Sequence, residues 1–457
     1  MTIDLQGKRV LVVGLGRSGV AAALLCVARG ARVTVTDSRG ADALGAALAS
    51  LPGGVERALG GHPEAIFTGA DLIVLSPGVP EIAPLRAARA AGVAITGELE
   101  LASRFVTATL VAITGTNGKS TTTTLCGAIL AETGYPTFVG GNLGQPLAEA
   151  VGTPAAAFGG NCVVEASSFQ LETVLTFRPR AAVLLNITAD HLDRHDGLDG
   201  YAAAKARIFS AQQHDDFAVI NADDPLAMRV SDGIAARRIG FSTEWPLLEG
   251  GWLAGESLVL RLPGGEEERY PAQLPALTGK HNQANALAAL LAGRLAGATP
   301  AEARRGLLGF RALPHRMELV AEGNGVAYFD DSKGTNVGAV VAALAGFPRP
   351  VVLIAGGRDK GGDYAPLAAA LSAVGRGAVL IGEAADRIAA ALESSLPVKR
   401  ARSMEEAVST AAGLARPGDA VVLSPACSSF DMFRDYAHRA DVFRAAVRAQ
   451  LGEGGAR

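Results

Sequence analysis

Cysteine is scarce in this chain, with only four in 457 residues. Cys26, Cys126, Cys162 and Cys427 are scattered and form no C-x-x-C pair. That excludes a disulfide framework and points to a reducing compartment. Apolar runs are short, none approaching the roughly 18 residues of a membrane span. Met1–Arg9 shows no cationic-then-apolar signal pattern, so a soluble, cytoplasmic protein with no membrane partner is expected. Charge of either sign is not in excess. A net charge of −3 leaves no basic footprint for nucleic acid or an anionic lipid surface, so anionic ligands must be held by local sites. Aromatics make up only 5% of residues. Lysine is rarer still, with seven lysines against thirty-five arginines. A chain this biased towards arginine is expected to keep lysine where a compact amine is required. Lys119, Lys205, Lys333 and Lys360 all fall inside the motifs below.

Small residues are abundant, and hydrophobic residues reach 49%. Such a mixture suits α/β layers in which helices lie close on a sheet. The length calls for two or three domains. Residues 9–13, 32–36, 71–75 and 93–95 read as strands separated by helical stretches. A second unit opens at 109–121 with strand, glycine-containing loop and helix. It continues with strands at 161–165 and 181–187, helices at 199–212 and 280–296, and irregular hairpins over 246–275. Strands at 326–329, 350–354, 378–381 and 419–423 alternate with helices in a third. This βαβ rhythm predicts three α/β domains in series: 1–97 Rossmann-like, 98–312 a P-loop ATPase-like parallel sheet, and 313–457 Rossmann-like.

The first strand runs into Gly14-Leu-Gly16-Arg-Ser-Gly19, with Asp37 eighteen residues beyond. Alone, this reads as a dinucleotide-binding turn, in which a helix N-terminus faces phosphate. Asp37-Ser38-Arg39, however, sets a cation beside the acid, which suits another phosphorylated ligand equally well. Thr114-Gly115-Thr116-Asn117-Gly118-Lys119-Ser120-Thr121 is a shortened phosphate loop, because the outer glycine of a strict Walker A would fall at Ile113. Its backbone N–H groups can cradle phosphates, Lys119 can reach β/γ oxygens, and the Ser120 hydroxyl can ligate Mg²⁺. Glu165 ends an apolar strand, where a second metal could sit. Asp190-His191-Leu-Asp193-Arg194-His195 follows another strand, with Lys205 fourteen residues beyond His191. In the last third, LPHR ending at Arg316, Asp330-Asp331-Ser-Lys333-Gly-Thr335-Asn336, Gly356-Gly-Arg-Asp-Lys360 and Ser424-Pro-Ala-Cys-Ser-Ser429 bring Lys, Thr and Ser to strand ends, as one anion-binding rim would require.

Taken together, TGTNGKST, EASSFQLE, ITADHLDRH, Lys205, GKHNQAN, LPHRME, DDSKGTN and SPACSSFD resemble the Mur ligase family, in order and over essentially the whole chain. DDSKGTN and SPACSSFD are similar to the member that joins D-glutamate to UDP-N-acetylmuramoyl-L-alanine in peptidoglycan precursor synthesis. A sibling with another acceptor is the alternative. The resemblance implies an ATP-dependent ligase; the rival reading, an NAD-dependent oxidoreductase built on the first domain, leaves GTNGKST and DDSKGTN unexplained. It implies that Arg17, Ser18, Ser38, Arg39 and Gly78 hold the UDP moiety. Gly115, Thr116, Asn117, Gly118, Lys119, Ser120 and Thr121 would hold ATP phosphates, with Asn285, Arg316 and Asp331 completing the nucleotide site. Two Mg²⁺ ions are implied, one on Ser120 and Glu165, the other on His191 and a carbamylated Lys205. Asn142 and His191 would contact the muramoyl substrate, and Lys333, Thr335, Lys360, Ser429 and Tyr436 would position D-glutamate. A monomer is expected. The chain departs from the family pattern at Tyr436, where Phe is expected, and at Ala440, where Gly is expected.

Overall fold

The computed structural model describes residues 3–452, apart from 193, 275, 278, 360 and 394. The expected contributions of Lys360 and Asp193 therefore lie outside the described residues. The architecture is three-domain α/β, built on three largely parallel sheets.

The first sheet comprises β1 (Arg9–Val13), β2 (Arg32–Asp37), β3 (Glu56–Leu59), β4 (Leu72–Leu75) and β5 (Ala94–Gly97), all parallel, in the order β3-β2-β1-β4-β5. The order reverses at β1, so the loops after β1 and β4 flank a crevice at the carboxyl edge. Leu11, Val13 and Ile73 pack against Phe67 and Leu85 from the covering helices. Glu100, in the helix Glu98–Ser103 that leaves this sheet, is buried and accepts from the backbone N–H groups of Leu175, Thr176 and Phe177. A carboxylate paired with three successive N–H groups and Arg104 ties the first sheet's exit to the second domain.

The second sheet comprises β6 (Thr109–Thr114), β7 (Thr137–Gly141), β8 (Asn161–Glu165), β9 (Ala181–Leu184), β10 (Phe217–Asn221), β11 (Arg237–Ser242), β12 (Gly250–Ala254), β13 (Ser257–Arg261) and β14 (Glu267–Pro271). Its order is β14-β13-β12-β11-β10-β9-β6-β8-β7, antiparallel only from β12 to β14. β6 lies between β8 and β9, so the loop it feeds is flanked by the ends of both. The expected strand over 181–187 stops at Leu184. Beyond it, Asn186 turns to the neighbouring loop and the Ile187 N–H goes to Asp224 at 2.7 Å.

The third sheet comprises β15 (Glu318–Gly323), β16 (Val326–Asp330), β17 (Val351–Gly356), β18 (Gly375–Ile381), β19 (Val398–Arg400) and β20 (Ala420–Leu423), in the order β15-β16-β20-β17-β18-β19. Only the β15–β16 pair is antiparallel. Strand periodicity builds two cores here. Leu353, Ala355, Leu380 and Val422 face one helical layer, while Val352, Ile354, Val379 and Val421 face the other.

The chain packs as two compact units. One comprises Met1–Ile187, Tyr201–Leu274 and Gln283–Phe310; the other comprises Thr188–Gly200, Pro275–Asn282 and Arg311–Arg457. The first two sheets belong to the former and the third to the latter. Among the described residues, no helix is long and apolar enough to cross a membrane.

Candidate active site

In the first sheet, the turn after β1 is shaped by glycine. Gly14 is left-handed at φ +88°, and a Cβ on Gly19 would overlap the Gly14 carbonyl. Only glycine lets the helix Arg17–Ala28 begin this close to the strand. Arg17 and Ser18 stand in its first turn, and Gly78 (φ +84°) follows β4 on the other side of the crevice. Asp37 ends β2 with its carboxylate saturated. Oδ2 accepts from the Leu15 N–H at 2.8 Å and from Arg39 Nη2 at 2.8 Å. Oδ1 accepts from the Arg39 N–H and from Arg39 Nε, both at 2.9 Å. The Arg39 guanidinium and these backbone donors hold the Asp37 carboxyl far below the usual carboxylate range. These four donors occupy the acceptor positions of the carboxylate. Ser38 is exposed beside it.

Between β6 and the helix Lys119–Ala131, Gly118 is left-handed at φ +84°, and a Cβ there would run into the Asn285 amide. Asn285 stands in the helix Lys280–Leu295. The loop is braced by Asn186, whose Oδ1 accepts from the Asn117 N–H at 2.8 Å and whose Nδ2 donates to the Asn117 carbonyl at 3.1 Å. The Thr116 N–H bonds the Asn186 carbonyl. Sequence reasoning passed over Asn186; its one signal is a polar residue just past an apolar strand. Lys119 Nζ lies against the Gly115 and Thr116 carbonyls at 2.9 and 2.8 Å. Lys205, 1% exposed, donates to the same Gly115 carbonyl at 2.8 Å and sits over the Tyr201 ring. Both lysines therefore converge on one loop.

Ser120 Oγ donates to Glu165 Oε2 at 2.7 Å, and Asn142 Nδ2 donates to Glu165 Oε1 at 2.7 Å. β8 lies beside β6, which is why its last residue meets the first turn after the loop. A hydroxyl and a carboxylate oxygen meeting at a phosphate loop are the hard donors that Mg²⁺ takes, so this pair fits the ion.

In the other unit, β16, β20 and β17 are neighbours, so the loops following them stand side by side. They carry Asp331, Lys333 and Thr335; Ser424 and Ser429; and Gly356 onward. Ser424 Oγ donates to Asp331 Oδ2 at 2.6 Å, and the Arg358 N–H bonds the Ser428 carbonyl at 2.9 Å. Burial pushes the Asp331 carboxyl up to about 7, against the pull of the Ser424 hydroxyl and the Arg316 charge. Arg439, fully buried, donates to the Cys427 and Ser332 carbonyls and so joins two of the loops from behind. Sequence reasoning overlooked it, since a helical arginine carries no local signal of burial. Ala440 beside it is buried in the helix Tyr436–Leu451, where an alanine is well placed. Asp190 accepts from Asn336 Nδ2 at 3.3 Å and from the His191 N–H, fixing the loop that carries His191, itself left-handed at φ +53°.

His315, Glu318 and Asp330 bring possible metal-ligand atoms within 4.8 Å of one another. The position a cation would take is filled by the Arg444 guanidinium, at 2.6 Å from Glu318 and 3.3 Å from Asp330.

Three family patterns match successive parts of the chain: a Mur ligase MurD-like N-terminal domain over residues 8–97, a Mur ligase middle domain over 113–293, and a Mur ligase glutamate ligase domain over 315–427. The UDP-N-acetylmuramoylalanine–D-glutamate ligase of Geobacter metallireducens is 51% identical, the alignment covering 99% of each chain. The enzyme of the same name from Anaeromyxobacter dehalogenans is 50% identical over 96% of this chain and 97% of its own. Among solved structures, a pseudomurein peptide ligase type C from Methanothermus fervidus aligns at TM-score 0.62 and 19% identity, covering 97% of this chain and 100% of that one. MurF from Acinetobacter baumannii aligns at TM-score 0.61 and 18% identity, covering 97% and 92%. At such identities the structures speak for the fold alone.

Proposed function

Because this chain belongs to the Mur ligase family, we propose that it is the ATP-dependent ligase that adds D-glutamate to UDP-N-acetylmuramoyl-L-alanine, a step of peptidoglycan precursor synthesis. The observation that carries the reading is the braced phosphate loop, with Lys119 on it and the Ser120–Glu165 pair at its first helical turn. Full-length identity to ligases of that name selects the acceptor over the siblings'.

A carboxylate is a poor electrophile, so the reaction begins by moving the γ-phosphoryl group of ATP onto the L-alanyl carboxylate, giving an acyl phosphate and ADP. Gly115, Thr116, Asn117, Gly118 and Thr121 would present backbone and hydroxyl donors to the phosphates. Lys119 would leave its loop carbonyls for the β/γ oxygens. Asn285, Arg316 and Asp331 would hold the nucleoside. Two Mg²⁺ ions would supply charge neutralisation, one held by Ser120 and Glu165, the other by His191 and a carbamate on Lys205. Asn142 and His191 would orient the muramoyl substrate. The amine of D-glutamate then attacks the acyl carbon, and phosphate leaves as the amide forms. Lys333, Thr335, Lys360 and Ser429 would pair its two carboxylates. The Tyr436 N–H would join them, since the first turn of a helix has no intrahelical acceptor for it. The protein is taken to work as a cytoplasmic monomer with domains at 1–97, 98–312 and 313–457.

The acceptor is tested by an amino-acid panel with ATP and UDP-N-acetylmuramoyl-L-alanine, read as phosphate release. D-Glutamate is expected to exceed L-glutamate roughly a hundredfold, because the L-enantiomer satisfies the carboxylates only by turning its amine away. Equal rates with L-glutamate, or a preference for diaminopimelate or lysine, would move the chain to a sibling activity.

Arg17, Ser18, Ser38, Arg39 and Gly78 are assigned to the UDP moiety. The saturated Asp37 carboxylate supports this over NAD. UDP is expected to bind measurably by calorimetry and NADH not at all; NADH binding that UDP cannot displace would overturn the assignment.

A further inference from the structure

Lys333 and Tyr436 meet in a way that pairing with a substrate carboxylate does not require. Lys333 Nζ lies 3.7 Å from the centroid of the Tyr436 ring, well inside the range of about 6 Å over which a ring face attracts a cation. The ring in turn makes a T-shaped contact with His315, the two centroids 6.0 Å apart at an interplanar angle of 74°. A T-shaped pair sets the electropositive edge of one ring towards the electronegative face of the other, so this arrangement is attractive.

His315 is held with unusual firmness. Its φ of +63° is left-handed, which costs a side chain with a Cβ and persists only where the surroundings impose it. Here they do. Its N–H donates to Glu318 Oε2 at 2.9 Å, and its Nδ1 lies 2.7 Å from the buried Asp330 Oδ2. Arg444 clasps both acids. The His315 carbonyl accepts from the Lys333 N–H at 3.2 Å. Lys333 is thus tied to His315 at its backbone directly, and at its ammonium through the Tyr436 ring. Ser332, just before it, is anchored by Asp330 and Arg439.

A lysine side chain is a flexible stem with a strongly hydrated head, and it loses much rotamer freedom when it binds. A ring face attracts an ammonium to one place without itself carrying a neutralising charge. We infer that the Tyr436 ring is a platform that pre-positions the Lys333 ammonium for the acceptor's carboxylate, and that His315, locked to Asp330 and Glu318, is the positioning residue that holds the ring. This rests on the D-glutamate reading above.

The test is steady-state kinetics with each substrate varied in turn. Y436L removes the ring and is expected to raise KM for D-glutamate about tenfold, with KM for ATP and for the UDP-sugar within twofold of wild type. Y436F restores the ring and is expected to recover most of that loss. H315N keeps a group able to bond Asp330 and to adopt the left-handed turn, but loses the aromatic ring. It is expected to raise KM for D-glutamate about threefold. Three results overturn the inference: an unchanged KM for D-glutamate in Y436L, Y436F no better than Y436L, or a parallel rise in KM for ATP. Should Y436L unfold, Y436M carries the same comparison. If the wild type takes another amino acid in place of D-glutamate, the acceptor reading fails, while the same KM comparison with that amino acid still decides the platform.

Discussion

Replacing Lys119 with alanine is expected to lower ligation by about a thousandfold or more, while stability stays within about 0.5 kcal/mol of wild type. The two effects separate because Lys119 stands at the start of its helix and is only partly buried. Its ammonium rests on the Gly115 and Thr116 carbonyls, which water can satisfy in its absence, and it fills no core. In the proposed role it would meet charge that builds on the phosphates as they approach the substrate carboxylate. The arrangement that makes the loop work is untouched by the change, since the left-handed Gly118 and the Asn186 clamp do not involve this side chain. Phosphate release and thermal melting on the same preparation check the prediction. Turnover within a few-fold of wild type would remove the phosphate-loop assignment.

The second large effect concerns Lys205. K205A is expected to lose at least about a hundredfold in rate, and to regain part of it when acetate is added. Lys205 is buried at the phosphate loop, bonded to the same Gly115 carbonyl as Lys119. A bare ammonium would repel Mg²⁺ there, whereas its carbamate offers an anionic oxygen of the kind the ion prefers. Acetate supplies such an oxygen to the space the shortened side chain leaves. The rescue distinguishes chemistry from packing, since a variant inactive only because it packs badly gains nothing from a carboxylate. Full activity with an unmodified amine in the metal-bound protein would refute the carbamate.

Much of the site was legible in the chain because strand–loop–helix chemistry is local. TGTNGKST declares a phosphate loop through its glycines and its single lysine, and the structure puts it between β6 and a helix. The alternation of short apolar runs with helical stretches announced three α/β domains. Six strands lie outside the sequence-level assignment: β3, β7, β10, β11, β15 and β19. Four of them, β3, β7, β15 and β19, are sheet edges, where a strand needs little apolar alternation. The run FAVIN of β10 is too short for its periodicity to tell a strand from a helix.

What the sequence determined by itself was which chemical groups are present and in what local frame: a lysine beside two glycines, an acid at a strand end, a serine opening a helix. Which of those groups meet was decided by strand order, and strand order is non-local. Glu165 reaches Ser120, forty-five residues away in the chain, because β8 pairs with β6. Asp331 meets Ser424, ninety-three residues away, because β16 pairs with β20. The same holds for Asp37, which in the chain reads as a ribose acid and in the fold is consumed by Leu15 and Arg39. Spacing along the chain records how far apart residues are made. Only the packing of sheets, driven by burial of their apolar faces, brings their polar ends together.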